Sequence, residues 1–356
     1  MKLDILKKLV SIDTVADNNN GIFIEFVSKI LINKKFNIEY IKNENGKSCL
    51  IAKKGNYIKL CFMGHCDTVP VTSCWNTNPY ELTVKDDIIY GLGVCDMKGG
   101  ISAFLTAIEE TKTVDGIMVI ITYDEEVGFE GIKLIKNRKD IPENIIIAEP
   151  TDMVPIAFCK GCIEYKVSFI GKSVHASLKP KGRNAILNAI DFISELKKIE
   201  NQMAKDKNDK FSIPFTTMNL ATINGGTAIN IVPDNCEITF DFRTICKEHH
   251  TLIEKQISEL GSNFDCKINL MTNVYPVTNK NSKKLKELEK ITKSKVEGVN
   301  YVTEGNFLNR NNVVILGPGP ITAHEPNEHI SLGSYNKAIN VFKKIISKYC
   351  EEIKNE

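Results

Sequence analysis

Lys59-Leu60-Cys61-Phe62-Met63-Gly64-His65-Cys66-Asp67 is an apolar run that ends on an imidazole and a carboxylate. The run lacks the polar alternation of a strand with one wet face, so it predicts a strand buried on both faces, as in a covered parallel sheet. Three further runs repeat the arrangement. Ile117 to Thr122 leads into Asp124-Glu125-Glu126, and Ile145 to Ala148 leads into Glu149-Pro150. Val313 to Leu316 leads into a Gly-Pro-Gly-Pro loop and then His324. In open α/β sheets ligands bind beyond the carboxyl ends of the strands, which is where these polar residues fall. Apolar-periodic segments at Gly99 to Thr111 and Gly128 to Asn137 supply crossover helices, and this part of the chain reads as α/β.

Outward from these strands, Leu3, Leu6 and Val10 recur at helical spacing, as does the stretch Ile22 to Ile32. The middle of the chain has a different pattern. It reads as strand (Glu164 to Ile170), helix (Arg183 to Ile199), strands at Thr217 to Ile223 and Glu237 to Arg243, helix (Leu252 to Leu260) and a last strand at Lys267 to Met271. Two helices and four strands of this kind predict an α+β sandwich over residues 163–272, inserted into a domain formed by 1–162 and 273–356. Ser282 to Lys293 and the stripe Ala338, Phe342, Ile345 and Tyr349 predict helices that close that outer domain.

Composition excludes several classes. Of 356 residues, 46 are Lys or Arg and 44 Asp or Glu, a net charge of +2 that gives no concentrated basic surface for nucleic acid. The longest apolar runs, such as Ile117 to Ile121, are too short to span a bilayer, and Met1 to Leu6 carries no signal-peptide core. Eleven cysteines scattered through a chain of this size predict reduced thiols in a cytoplasmic protein.

Singly, each polar residue at the strand ends has an ordinary explanation: Asp124 or Asp96 could cap a helix, and a lone histidine is most often structural. Together, His65, Asp96, Glu126, Glu149 and His324 give two imidazoles and three carboxylates, a donor mixture suited to Zn²⁺ and similar divalent ions. Five donors exceed one closed tetrahedral site, and a bridging carboxylate could serve two metals. Asp67, two residues after His65, shares its side in extended backbone and is placed to accept the second ring N–H of His65. Glu125 and Glu126 are adjacent and in extended backbone cannot face one ion alike, which leaves one as ligand and the other as general base.

The segments Gly64-His65-Cys66-Asp67-Thr68-Val69-Pro70, Gly91 to Gly100 (Gly-Leu-Gly-Val-Cys-Asp-Met-Lys-Gly-Gly), Asp124-Glu125-Glu126, Glu149-Pro150-Thr151 and Ser173-Val174-His175-Ala176-Ser177 resemble the M20 metallopeptidase family, in order and nearly end to end. The resemblance implies a zinc-peptidase-like catalytic domain with a mainly parallel central sheet, plus an inserted α+β lid used for homodimerisation. It implies two divalent metal ions, Zn²⁺ in first place and Co²⁺ as an alternative. One would be held by His65, Asp96 and Glu149, the other by Asp96, Glu126 and His324, with a cis peptide after the bridging Asp96. It makes Glu125 the general base and Asp67 the orienting partner of His65. His175 would stabilise the oxyanion of the neighbouring protomer, and Asn230 and Arg243 would bind the substrate carboxylate. The implied activity is hydrolysis of a small-molecule N-acyl amino acid.

Within that family, Cys159-Lys160-Gly161-Cys162, Thr303-Glu304-Gly305 and the stretch Leu316 to His324 resemble the acetylornithine deacetylase branch, which produces ornithine and acetate and belongs to arginine biosynthesis. Desuccinylases of succinyl-diaminopimelate resemble the chain in the metal motifs, but carry an Arg where Asn306 stands. Desuccinylase, dipeptidase and carboxypeptidase activity on the same scaffold are the alternatives. Other motifs carry less. The histidines of His324-Glu325-Pro326-Asn327-Glu328-His329 are five apart with a proline between, unlike a zincin helix. Gly171-Lys172-Ser173 lacks the first glycine of a P-loop, and His249-His250 lies in a charged stretch that reads as solvated.

Overall fold

A computed structural model of the chain describes residues 3–16, 18–279, 281–308 and 310–354. Met1 and Lys2, the first residues of the segment read above for a signal peptide, lie outside them. The chain forms two compact units, one of Met1–Ala157, Asn279–Glu297 and Phe307–Glu356, the other of Phe158–Thr278 and Gly298–Asn306.

In the first unit the strand order is Asn37–Lys42, Ser48–Lys54, Ile117–Thr122, Leu60–His65, Asn144–Ile147 and Asn312–Ile315. The last four are mutually parallel and correspond to the four apolar runs of the sequence. The first two join antiparallel at the edge. The register pairs Leu60 with Ile117 and His65 with Thr122, so both strands release their polar residues at one edge of the sheet. Every residue of these two strands is buried. Phe62 explains why: its ring lies 5.5 Å from Phe104 and 5.4 Å from Phe342, which come from the helices Lys98–Glu110 and Leu332–Lys354. Each such buried aromatic contributes about 1.5–3 kcal/mol through burial alone. A small antiparallel sheet, in the order His329–Ser331, Ile88–Tyr90, Thr83–Lys85, lies in the same unit.

The helix expected over Gly128 to Asn137 is shorter, Glu130–Ile135, and a separate turn precedes it. A short turn, Glu125–Gly128, and a helix, Glu130–Ile135, are separated by Phe129 in the left-handed region at φ 61°. Glu125 and Glu126 are therefore helical and not extended. Successive side chains still diverge, because helical neighbours do not face each other.

The second unit carries an antiparallel sheet in the order Thr217–Gly225, Asn235–Thr244, Gly161–Ile170, Cys266–Val274. Burial alternates along Gly161–Ile170 and Asn235–Thr244. The buried face, with Phe169, Phe240 and Phe242, packs on Phe192 of Ala185–Met203 and Ile253 and Ile257 of Lys247–Asn263. His249 and His250 are buried here at 6% and 0% exposure, which overturns the solvated reading. Their ring nitrogens are taken up: His249 meets Thr216 Oγ1 at 2.9 Å and Asp206 Oδ2 at 3.0 Å, and His250 meets Thr244 Oγ1 at 3.1 Å and Asn273 Oδ1 at 2.6 Å. Among the described residues no helix is long and apolar enough to cross a membrane.

One close approach sets the two halves of the first unit's polar edge against each other. A Cβ on Gly100, in the first turn of Lys98–Glu110, would lie 1.9 Å from the carbonyl oxygen of Ala148. Only glycine lets the helix that follows Asp96 sit against the backbone that leads to Glu149. Gly100→Ala is expected to cost about 1–3 kcal/mol by overpacking, seen as a lowered midpoint in denaturant unfolding. An unchanged midpoint would show that the approach is not tight.

Candidate metal centre and active site

The five donors meet in the first unit beyond the carboxyl ends of its parallel strands. His65 is the last residue of its strand, Glu149 lies two residues past Ile147, and Glu126 lies four past Thr122. Main-chain bonds carry the sheet beyond the strand ends: Cys66 N donates to Thr122 O at 3.0 Å, Ala148 N to Met63 O at 3.0 Å, and Leu316 N to Ile147 O at 2.8 Å. Asp96 comes from the loop between Ile88–Tyr90 and the helix Lys98–Glu110, and the Asp96–Met97 peptide is cis.

Asp96 does not cap the helix behind it, since the N-cap position is Met97 and no side chain caps it. Its carboxylate is instead shared. Oδ1 lies 3.1 Å from His65 Nε2, which is itself 3.5 Å from Glu149 Oε1. Oδ2 lies 3.5 Å from His324 Nε2, which is itself 3.0 Å from Glu126 Oε1. Donor atoms of His65, Asp96 and Glu126 all fall within 4.8 Å of one another. The donor chemistry fits divalent cations. Three largely buried carboxylates gathered this closely are costly without positive charge among them. The nitrogen–oxygen mixture is that of zinc-type sites.

Among themselves the five side chains redistribute protons. Burial works against a charged His65, but Glu149, Asp67 and Asp96 outweigh it and hold its pKa well above the usual imidazole value. His324 is raised to about 9, first by its hydrogen bond to Asp96, with Glu126 adding to it. Burial and the neighbouring Asp96 push Glu149 up to about 8 and raise Glu126 as well. Asp96, bonded by both imidazoles, is held below the usual carboxylate range despite its burial.

Asp67 does two things. His65 Nδ1 lies 3.0 Å from the Asp67 carbonyl oxygen and 3.5 Å from Oδ1, so the main chain makes the closer contact and the carboxylate stands behind it. That fixes Nε2 toward Asp96. Oδ2 of the same carboxylate accepts the Glu126 backbone N–H at 3.1 Å and draws on that of Glu125. One residue thus holds both the histidine ring and the turn that carries Glu125 and Glu126. Asp124 does not cap that turn: it takes a left-handed φ of 54°, its side chain makes no cap hydrogen bond, and it pairs with Lys47.

The remaining candidates lie in the second unit and do not form one group. His175 is exposed, with Nδ1 2.7 Å from Ser177 Oγ, and the backbone beside it bonds to Asn230 through Ala176 N at 2.9 Å. These two are neighbours. Arg243 is not near them along the sheet. Its strand begins at Asn235, close to the Asn230 turn, and eight residues of extended chain at about 3.3 Å each separate the strand's start from Arg243. There Nε donates to Asp241 Oδ1 at 2.9 Å. The strand thus places Arg243 well along the sheet from the turn that holds Asn230.

Sequence reasoning passed over two residues of the first unit. Glu328, within the discarded His324–His329 motif, is 2% exposed and its carboxylate receives the loop that carries Asp96. Lys98 is fully buried, donates to Ile12 O at 2.8 Å, and is pushed down to about 8 by burial. Neither carries a sequence signal, since a buried charge looks like a surface one until its neighbours are known.

Comparison with known proteins agrees with this geometry. Residues 61–348 match the model of Peptidase family M20/M25/M40. A curated acetylornithine deacetylase from Buchnera aphidicola subsp. Acyrthosiphon pisum (strain 5A) is 32% identical over 376 residues, covering 98% of each chain. Among solved structures, the aminopeptidase PepT of Bacillus cereus superposes with a TM-score of 0.77 at 19% identity, covering 97% of each chain. A dinuclear metal binding peptidase of the M20 family from Bacillus subtilis superposes with a TM-score of 0.70 at 13% identity over 98% of each. At these identities the structures speak for the fold, a mixed α/β architecture on a mainly parallel sheet. With its strand-end cluster and this family match over most of its length, the chain belongs to peptidase family M20/M25/M40 and is a hydrolase of that family.

Proposed function

We propose that the protein is a two-metal amidohydrolase that removes the acyl group of an N-acyl amino acid, N-acetylornithine foremost, releasing ornithine and acetate. The observation that carries this reading is the divided Asp96 carboxylate, one oxygen toward His65 and Glu149, the other toward His324 and Glu126. His65, Asp96 and Glu149 would hold one divalent ion and Asp96, Glu126 and His324 the other, Zn²⁺ before Co²⁺. When bound, the pair lowers the pKa of a water and polarises the acyl oxygen. Glu125 takes the proton of the attacking water and returns it to the leaving amine. Asp67 keeps the His65 ring turned and the Glu125 turn in place.

The acetyl preference is supported by the names of curated relatives such as the Buchnera protein and by Asn306. Its Oδ1 accepts from Thr303 N at 3.0 Å, while Nδ2 donates to Lys160 O at 3.0 Å and Tyr275 O at 2.8 Å. A side chain engaged in this way offers no cation to a succinyl carboxylate. No disulfide joins any of the eleven cysteines, which supports a reducing, cytoplasmic setting.

A second copy of the chain is the partner we assign to residues 163–272, the inserted lid. The outer edge of Thr217–Gly225 pairs with no strand among the described residues, and Ile223 is 49% exposed on it. Leu187 and Ile190 are exposed on the neighbouring helix Ala185–Met203. An open edge flanked by apolar side chains is a self-pairing surface. With pairing there, His175 would serve the neighbouring protomer as oxyanion donor, with Asn230 and Arg243 binding the substrate carboxylate.

Four measurements test these assignments. With Zn²⁺ or Co²⁺ added, kcat/KM for N-acetylornithine should exceed that for N-succinyl-diaminopimelate and for dipeptides, and the reverse order would move the assignment to the better substrate. Glu125→Gln should lower kcat by about 10²–10⁴-fold with both ions retained, and full turnover would remove Glu125 as the base. Because His65, His324 and Glu149 hold protons near neutral pH, loading the stripped protein should expel them. Calorimetry in buffers of different ionisation enthalpy should show proton release and an affinity that rises with pH; no release would remove these residues as the donors. Ile223→Glu should give a monomer in sedimentation with a kcat lowered at least tenfold, whereas a fully active monomer would exclude action of His175 across subunits.

A further inference from the structure

Asp96 owes its position to a loop, and loops of this length seldom hold a carboxylate still unless their backbone is tied. Residues 91–96 run from the end of Ile88–Tyr90 to the cis peptide, with Gly91 and Gly93 at φ 156° and 78°. The N–H groups of this loop converge on one side chain. Gly93 N donates to Glu328 Oε2 at 2.7 Å, and Cys95 N and Asp96 N donate to Glu328 Oε1 at 2.8 and 2.9 Å. The main chain of Glu328 takes part too, since its carbonyl accepts from Gly91 N at 3.2 Å. The next three residues, His329–Ser331, then pair with Ile88–Tyr90. Four amides of a six-residue loop therefore end on one buried residue.

A charged acceptor is suited to this place. Buried N–H groups left without partners are costly, and bonds to a carboxylate are shorter and about twice as strong as neutral ones. An amide side chain could keep the two bonds at Oε1 only by turning its NH₂ toward the Gly93 N–H, donor against donor. Burial and the neighbouring Asp96 raise the pKa of the Glu328 carboxyl to about 7, while its bonds from the Gly93, Cys95 and Asp96 N–H groups hold it down. Among the described residues no hydrogen bond joins Glu328 to any of the five donor side chains, and its bond to Asp96 is to the backbone N–H.

We propose that Glu328 is the positioning residue of the bridging carboxylate, clamping the 91–96 loop so that the two oxygens of Asp96 stay aimed at the His65 and His324 sides together. The proposal rests on the two-metal reading of the site and adds a residue to it. Glu328 is a positioning residue and not a catalytic one, because it acts only through Asp96.

The test compares wild type, Glu328→Gln and Glu328→Asp, with Phe342→Leu as a control that loosens the core away from the loop. Affinity for Co²⁺ and Zn²⁺ is measured by chelator competition, together with the visible spectrum of the Co²⁺-loaded protein and amide exchange at Gly93, Cys95 and Asp96 in stripped protein. Glu328→Gln is expected to weaken binding of the ions by about 10–100-fold, to alter the Co²⁺ spectrum and to speed exchange of the three amides. Glu328→Asp, which keeps the charge at shorter reach, should fall between it and wild type. Phe342→Leu should lower the unfolding midpoint and leave affinity, spectrum and those amides unchanged. A folded Glu328→Gln with wild-type affinity and spectrum overturns the proposal; if that variant does not fold, the same result in Glu328→Asp overturns it. Failure of wild type to bind two ions would instead overturn the two-metal reading, and faster exchange in the variants would still reveal the clamp.

Discussion

Asp96 has to face two ways at once. Its carboxylate is divided between two imidazoles, each backed by a further carboxylate, and the surrounding structure serves to keep that division in place. Negative charges at this spacing repel, so none of the donors would adopt its place for its own sake. They are held by neutral main chain instead. Strands end where their ladder bonds continue into the loops, the Asp67 carbonyl turns the His65 ring, and a glycine at position 100 lets the helix behind Asp96 reach the backbone before Glu149. Rigid apolar packing absorbs the strain of gathering acids and in return gains nothing but their position. This is the usual signature of a site kept for chemistry and not for stability.

Much of this was legible in the sequence. Doubly buried parallel strands must be continuous apolar runs, so Leu60–His65, Ile117–Thr122, Asn144–Ile147 and Asn312–Ile315 stand out, and each is followed at short range by the residue that matters. The edge strand Asn37–Lys42 was not visible in the same way, because an edge strand that is mostly exposed mixes polar and apolar residues as a loop does. The break at Phe129 was hidden too, since an aromatic residue at positive φ obeys its tertiary surroundings and not its own preference. His249 and His250 read as solvated because Lys247 and Glu248 precede them. Helical periodicity turns the histidines inward while those charges stay out. Glu328 was the least accessible of all, since its partners are backbone amides more than 230 positions away, and no residue type announces that.

The second unit shows how a motif match and a geometry can pull apart usefully. By resemblance, Asn230 and Arg243 share one task, binding the substrate carboxylate. An antiparallel strand then carries Arg243 away from the turn that holds Asn230 and His175. Extended chain is a ruler of fixed rise, and by that ruler one sheet presents polar groups at both of its ends. The turn with His175 and Asn230 lies at one end of that sheet and Arg243 toward the other.

The donors are also unevenly spread along the chain. His65, Asp96, Glu126 and Glu149 follow one another on or just after the parallel strands Leu60–His65, Ile117–Thr122 and Asn144–Ile147 and the loop before Lys98–Glu110. His324 and Glu328 come from a separate stretch more than 170 positions beyond Glu149. The apolar strand Asn312–Ile315 therefore does more than widen the sheet. Its parallel pairing with Asn144–Ile147 ties the stretch that carries the second histidine and the clamp to the stretch that carries the other four donors, so a loss of that one pairing would separate the two groups.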